Sequence, residues 1–197
     1  MYYYESISDF FYVDLTGISL DSDTIIEPSK WIILDNIKPK PDESLFYDPL
    51  LGGKNNDKII FLETLSIDDY KANIFNTTLE QWKINKDVVG EPKGYHSLFA
   101  SWTSDEKTGL AYLFDSFSNG MVIFDPVNLA FVNNSVSSTQ NLFNDKFVIY
   151  DDYAQVLLPN SQILYISGSI GNDKQSMKSM SNILTYDIIT DTWQMMV

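Results

Sequence analysis

The stretch TYDIITDTW, residues 185–193, sets one aromatic, Tyr186, seven positions before another, Trp193, with an acid directly after the first. The same spacing recurs in IFNTTLEQW, residues 74–82, between Phe75 and Trp82, and in IFDPVNLAF, residues 123–131, between Phe124 and Phe131. Each stretch opens as a strand, turns, and closes as a strand. The closing aromatics lie 49 and 62 residues apart, and Trp31 precedes Trp82 by 51 residues, behind its own strand FFYVD at 10–14. A period near ~50 residues made of short strands is the mark of a repeat architecture, in which one small unit buries its faces only by stacking on the next.

Working outward from these stretches gives units of about four strands. In the second unit the predicted strands are SLFYD (44–48), KIIFLE (58–63), ANIFN (72–76) and QWKIN (81–85), with PLLGGKNNDK read as a turn-rich loop. The third unit reads GYHSLFASW (94–102), a turn TSDEKTG, then LAYLFD (110–115), GMVIFD (120–125) and LAFVN (129–133). The fourth reads DYAQVLLP (152–159), QILYIS (162–167), a long polar loop from Gly168 to Ser181, NILTYD (182–187) and TWQMMV. The first unit is partial, with YYY at 2–4 as a vestigial strand. Every long loop falls between a second and a third strand, which places these loops on one face of the assembly, where loops carry binding.

With its aromatic pairs, the acid or amide after each first aromatic (Asn76, Asp125, Asp187) and the GYHS start of its third unit, the chain resembles kelch-repeat proteins of the galactose oxidase-like superfamily. It is closest in feel to fungal kelch proteins, through FFYVDLT, LLPNSQILYISG and YDIITDTW. The resemblance implies an all-β fold, a kelch-type β-propeller of about three and a half four-stranded blades, at 1–40 (partial), 41–90, 91–140 and 141–197. Relatives close with six or seven blades, so the chain is expected to be part of a larger propeller, with blade faces that self-associate. The glycine doublet that ends each second strand in the family is replaced here by Glu63-Thr64, Asp115-Ser116 and Ser167-Gly168. The family position of His96 implies a structural role between blades.

Composition narrows the functions. The hydrophobic content of 44% suits a packed core. A net charge of −14, with 27 acidic residues against 13 basic ones, argues against nucleic acid and anionic membranes, whose phosphates need a basic footprint. Without Cys there are no disulfides, thiolate nucleophiles or thiolate metal sites. No apolar run approaches the ~18 residues of a membrane helix, and MYYYESISDFF has neither the basic start nor the apolar stretch of a signal peptide.

The side chains able to do chemistry are few. The copper site of galactose oxidase needs two histidines and a cross-linked cysteine, so a chain with His96 alone and no Cys cannot build it. The loop SGSIGNDKQS, residues 167–176, lacks the Gly-Lys-Ser/Thr ending of a phosphate-binding loop and precedes a strand. Asp14, Asp125 and Asp187 follow third strands and are expected to accept backbone N–H bonds in the turns that come next. Glu63 and Asp115 stand where glycines are expected near the axis, and would act as an acid and base or hold a cation if they converge.

Two functions follow as expectations. The first is a non-catalytic scaffold that binds a protein or glycan through the loops at about 64–71, 115–120 and 168–181, with Glu63, Asp115, Ser116, Asn172, Asp173 and Lys174 as candidate binding residues. Neither metal nor cofactor is expected. The alternative is an enzyme acting on sugars or small molecules through the channel carboxylates.

Overall fold

In the computed structural model each seven-residue aromatic spacing is a β-hairpin whose two aromatics sit directly across from each other. The structure describes residues 2–4, 10–13, 31–34, 37–38, 41, 48–53, 55–66, 69–90, 101–115, 120–132, 153–166, 169–170, 173–177 and 183–196. Among these there is no helix.

Strands β1 (Tyr2–Tyr4), β2 (Phe10–Val13) and β3 (Trp31–Ile33) make a three-stranded sheet. Strands β4 (Asp48–Gly52), β5 (Lys58–Ser66), β6 (Asp69–Asn76) and β7 (Gln81–Asp87) make a four-stranded one. A third sheet holds β8 (Thr103–Asp105), β9 (Leu110–Asp115), β10 (Gly120–Asp125) and β11 (Ala130–Val132). The next strands in the chain are β12 (Ala154–Leu157), β13 (Gln162–Ile166), β14 (Ser169–Ile170), β15 (Asp173–Met177), β16 (Ile183–Asp187) and β17 (Thr192–Met196). Of these, β12, β13, β16 and β17 form the fourth sheet in that order, and β14–β15 is a separate hairpin. All named strand pairs are antiparallel. The fold is all-β and β-propeller-like, with three four-stranded blades behind a three-stranded one.

The repeat is a clamp. Register pairs Phe75 with Trp82, Phe124 with Phe131 and Tyr186 with Trp193. Their ring centroids are 5.1, 5.2 and 4.9 Å apart, within the range where tilted aromatic pairs attract beyond their burial. Between each pair runs a four-residue turn directly preceded by Asn76, Asp125 or Asp187. Their carboxyl or amide oxygens accept turn amides: Leu79 N at 2.7 Å, Val127 N at 2.8 Å, Ile189 N at 3.0 Å and Thr190 N at 2.9 Å. Each turn closes on a residue with positive φ, namely Glu80, Leu129 or Asp191.

Alternation along the strands gives every blade two apolar faces. Ile59, Phe61, Phe75 and Trp82 pack against Tyr12 and Ile32 of the first sheet and Leu34 just after it. The opposite face of the second sheet, with Leu50, Ile60, Leu62, Ala72 and Ile74, packs on Ala111, Leu113, Val122, Phe124 and Phe131 of the third. The far side of the third sheet, Tyr112, Phe114 and Met121, meets Ile163, Tyr165, Leu184, Tyr186 and Trp193. The aromatic clamp of each four-stranded blade therefore always faces the preceding blade.

Four expected boundaries are corrected. The second blade begins with β4 at Asp48–Gly52, inside the stretch read as a loop, while 44–47 lie outside the described residues. Left-handed Gly53 and Asn56 put the turn just after Gly52, so pairing has to start on the residues flanking it. Pro49 is tolerated because β4 is an edge strand. For the same reason β8 is Thr103–Asp105 rather than 94–102, of which 94–100 lie outside the described residues. There Asp105 accepts Lys107 N and Thr108 N, each at 3.2 Å, and Gly109 supplies the left-handed residue. The expected loop at 64–71 is mostly strand, since Thr64 pairs with Tyr70 and Tyr70 packs edge-on to Phe131 at 5.3 Å. The loop at 168–181 carries the β14–β15 hairpin, whose paired residues Ile170 and Asp173 are separated by Gly171-Asn172 alone.

Two stability changes test this account. Trp82→Ala and Trp193→Ala, at buried clamp positions, each cost roughly 3–5 kcal/mol in chemical denaturation. Gly109→Ala costs about 1 kcal/mol from backbone conformation alone, because its φ is +72° and an added Cβ meets nothing within 4 Å.

Candidate functional site

The two ends of the sheets differ. At one end lie the turns joining first to second and third to fourth strands, and these are tied to each other. Thr77 N donates to Asp57 O at 2.8 Å in the second blade, and Ile188 N donates to Ser161 O at 3.0 Å in the fourth. Asp125 is half-buried; burial works to raise its carboxyl, yet the Asn128 and Val127 hydrogen bonds outweigh that and hold it below the usual aspartate value. Asp187 is likewise held down, chiefly by the Thr190 amide. The expected turn role of these two acids is what the structure shows. Asp14 lies outside the described residues.

The other end carries the connectors from second to third strands. Two residues separate Ser66 from Asp69, four separate Asp115 from Gly120, and sixteen separate Ile166 from Ile183. The longest connector holds β14 and β15. Beside the shortest, Lys71 of β6 donates to Asp87 Oδ1 of β7 at 2.6 Å and lies 3.5 Å from Asp69 Oδ1. The Asp87 bond raises the Lys71 ammonium value, and the Lys71 bond lowers the Asp87 carboxyl. This trio was not singled out from sequence. Its signal is an Asp-x-Lys step, which puts opposite charges on one face of a strand.

The candidate residues distribute as follows. Glu63 and Asp115 occupy one repeat position, since the preceding Leu62 and Phe114 align through the clamps. Glu63 is buried and accepts a hydrogen bond from Asn73 Nδ2 at 3.4 Å. Asn73 Oδ1 in turn accepts Asn85 N at 2.9 Å, which pins the bulge where Asn85 takes a left-handed conformation. Asp115 ends β9 opposite Gly120. Asp173 and Lys174 open β15, at the free-standing hairpin. His96, Ser116 and Asn172 lie outside the described residues. Among the described residues, no group of three or more His, Asp or Glu side chains is placed to hold a metal. No helix among them is long and apolar enough to cross a membrane.

No protein-family model and no curated protein matches the chain. Among solved structures it is similar to a fungal alcohol oxidase of the AA5 family in complex with copper, at 11% sequence identity and a TM-score of 0.44. The match covers 76% of this chain and 30% of the oxidase, so the chain spans about a third of that enzyme's length.

A carboxyl held low in the folded state adds stability that is fully present above the unfolded aspartate value and is lost as pH falls through the folded one. Asparagine keeps the turn acceptor, as Asn76 shows, but does not titrate. The double variant Asp125→Asn, Asp187→Asn is therefore expected to lose less melting temperature than the parent between pH 6 and pH 3. An identical acid response in the two proteins would contradict the assignment.

Proposed function

We propose that the chain is a kelch-like propeller segment of the galactose oxidase-like superfamily that acts as a non-catalytic scaffold, binding a protein or glycan at the connector end of its blades. The supporting observation is the contrast between the two ends. One end has turns of nearly uniform length closed by their own hydrogen bonds. At the other, connector length grows eightfold from the second blade to the fourth and adds a hairpin that pairs with no other sheet among the described residues. A rigid stack carrying one variable edge is the arrangement in which loops hold the specificity. The binding elements in this reading are the connectors at 116–119 and 167–182, with Ser116, Asn172, Asp173 and Lys174. The 64–71 segment drops out because it is largely strand.

The strongly acidic composition gives the surface a field that favours a partner presenting cationic groups or hydrogen-bond donors. Glu63 serves here as a structural group, bonded to the amide that fixes the β7 bulge.

The test compares the parent with two variants: one with 168–181 replaced by a short Gly/Ser loop, and one carrying Asp173→Lys with Lys174→Glu. A glycan array and affinity capture with identification of bound proteins provide the readouts. Any ligand specific to the parent is expected to be lost from both variants while their melting temperatures stay within a few degrees of the parent. Equal retention by all three proteins would overturn the assignment.

A further inference from the structure

The turn end of the blades, opposite the connectors, carries a pattern that closing the turns does not require. Each of the three clamp turns holds one large apolar side chain in solvent: Leu79 is 62% exposed, Val127 57% and Ile189 78%. These are residues whose amide N–H is held by the side chain that precedes the turn, Asn76 for Leu79, Asp125 for Val127 and Asp187 for Ile189. A solvent-facing turn position of this kind is ordinarily filled by a small or polar residue. One exposed apolar side chain calls for no explanation, whereas one per blade at the same end of three successive blades makes a row.

The row is held in place by the fold. Besides the pinned amides, Pro126, next to Val127, is buried against the second blade, where a Cβ on Gly52 would come within 2.6 Å of Pro126 Cβ. Sheets stacked face to face lie about 10 Å apart, so three tips span about 20 Å, the length of about fourteen residues of α-helix. The charges around the row are mostly of one sign. Glu80, Glu106 and Asp191 lie in turns at this end, and Asp125 and Asp187 directly precede two of them. The one lysine among the described residues of these turns, Lys107, is engaged, since its Nζ donates to Pro159 O in the first turn of the fourth blade.

We infer that the turn end is a second docking surface, which takes a basic amphipathic helix of a partner protein. The apolar stripe of that helix lies along Leu79, Val127 and Ile189, and Lys and Arg on its flanks face the carboxylates. Charge complementarity selects this occupant: a second copy of a chain with net charge −14, or an anionic lipid surface, brings like charge against like. Because the tips are already pinned through their backbones, docking orders little of this chain, and the cost of ordering falls on the partner's segment. This surface lies at the opposite end of the blades from the connectors and does not depend on the function proposed for them.

The test is fluorescence anisotropy of a labelled peptide of about eighteen Leu and Lys residues patterned as an amphipathic helix. Two control peptides carry Glu in place of every Lys, or the same Leu and Lys in an order that destroys the apolar stripe. The parent is expected to bind the patterned peptide saturably and the controls at least about tenfold more weakly. The triple variant Leu79→Ser, Val127→Ser, Ile189→Ser is expected to lose at least about tenfold in affinity with its melting temperature within a few degrees of the parent. Ile189→Ser alone, at the most exposed tip, replaces it if the triple variant melts lower, and is expected to weaken binding in the same direction. Glu80→Lys with Glu106→Lys is expected to weaken binding and flatten its dependence on salt, whereas the variant with 168–181 replaced binds as the parent does. A parent that does not bind the patterned peptide overturns the inference, as does binding that survives the tip substitutions, follows the 168–181 loop or is equal for the control peptides. Self-association of the parent, or its capture by phosphatidylcholine vesicles, that the triple variant loses also overturns it, because the occupant is then a second copy or a membrane.

Discussion

Everything in this stack depends on the aromatic pair held across a four-residue turn. A strand slipped by one residue would send its whole apolar set to the wrong face. The clamp prevents that by fixing which residue opposes which at the tightest point of the hairpin. With Phe75 against Trp82, Phe124 against Phe131 and Tyr186 against Trp193, alternation assigns every other residue of β5, β9 and β13 to the blade before or the blade after. The three clusters of buried residues follow from that assignment, each drawing on two neighbouring sheets.

The turns inside the clamps combine a side-chain acceptor at the start with a left-handed residue at the end. None of the three uses glycine at the end: Glu80, Leu129 and Asp191 all carry a Cβ at positive φ. Two of them recover part of that cost locally. Leu129 packs at the edge of the cluster between the second and third blades, and Asp191 accepts a hydrogen bond from Tyr186 Oη at 2.8 Å. The hydroxyl of one clamp aromatic thus steadies the turn that its ring closes.

The clamps, the second to fourth strands of each four-stranded blade and the turn acids were legible because they rest on local rules: alternation, aromatic spacing, and Asx chemistry at strand ends. The first strands of the second and third blades were harder to place. Strands β4 and β8 contain Asp48, Pro49, Thr103, Ser104 and Asp105, which do not read as apolar, and their positions are dictated by the adjoining left-handed turn residues. Sequence chemistry did contain that information, in Gly53 and Gly109, but hydrophobic pattern outweighed it. The β14–β15 hairpin was likewise signalled by Gly171-Asn172, a dipeptide suited to two-residue turns. Of the candidate site, the connectors after β9 and β13 were legible from their lengths, whereas the one expected at 64–71 shrinks to two residues, and the buried setting of Glu63 depends on Asn73 and Asn85, an arrangement that no single-strand pattern reveals.

The segment leaving β7 does more than connect. Val89 N donates to Leu129 O and Phe131 N donates to Val89 O, both at 2.8 Å, so the linker adds itself in parallel beside β11, the outer edge of the next blade. Gly90, at φ +81°, lets the chain pass where an added Cβ would come within 3.1 Å of Phe131 O. During synthesis the linker emerges well before its mate, and the two bonds form only once the third blade has been translated through its clamp. The second blade can therefore hydrogen-bond its own ladders early, but its exit is latched by its successor. That latch couples neighbouring blades through consecutive residues, since Val88 N donates to Tyr70 O of the second blade at 3.2 Å while Val89 is bonded to the third.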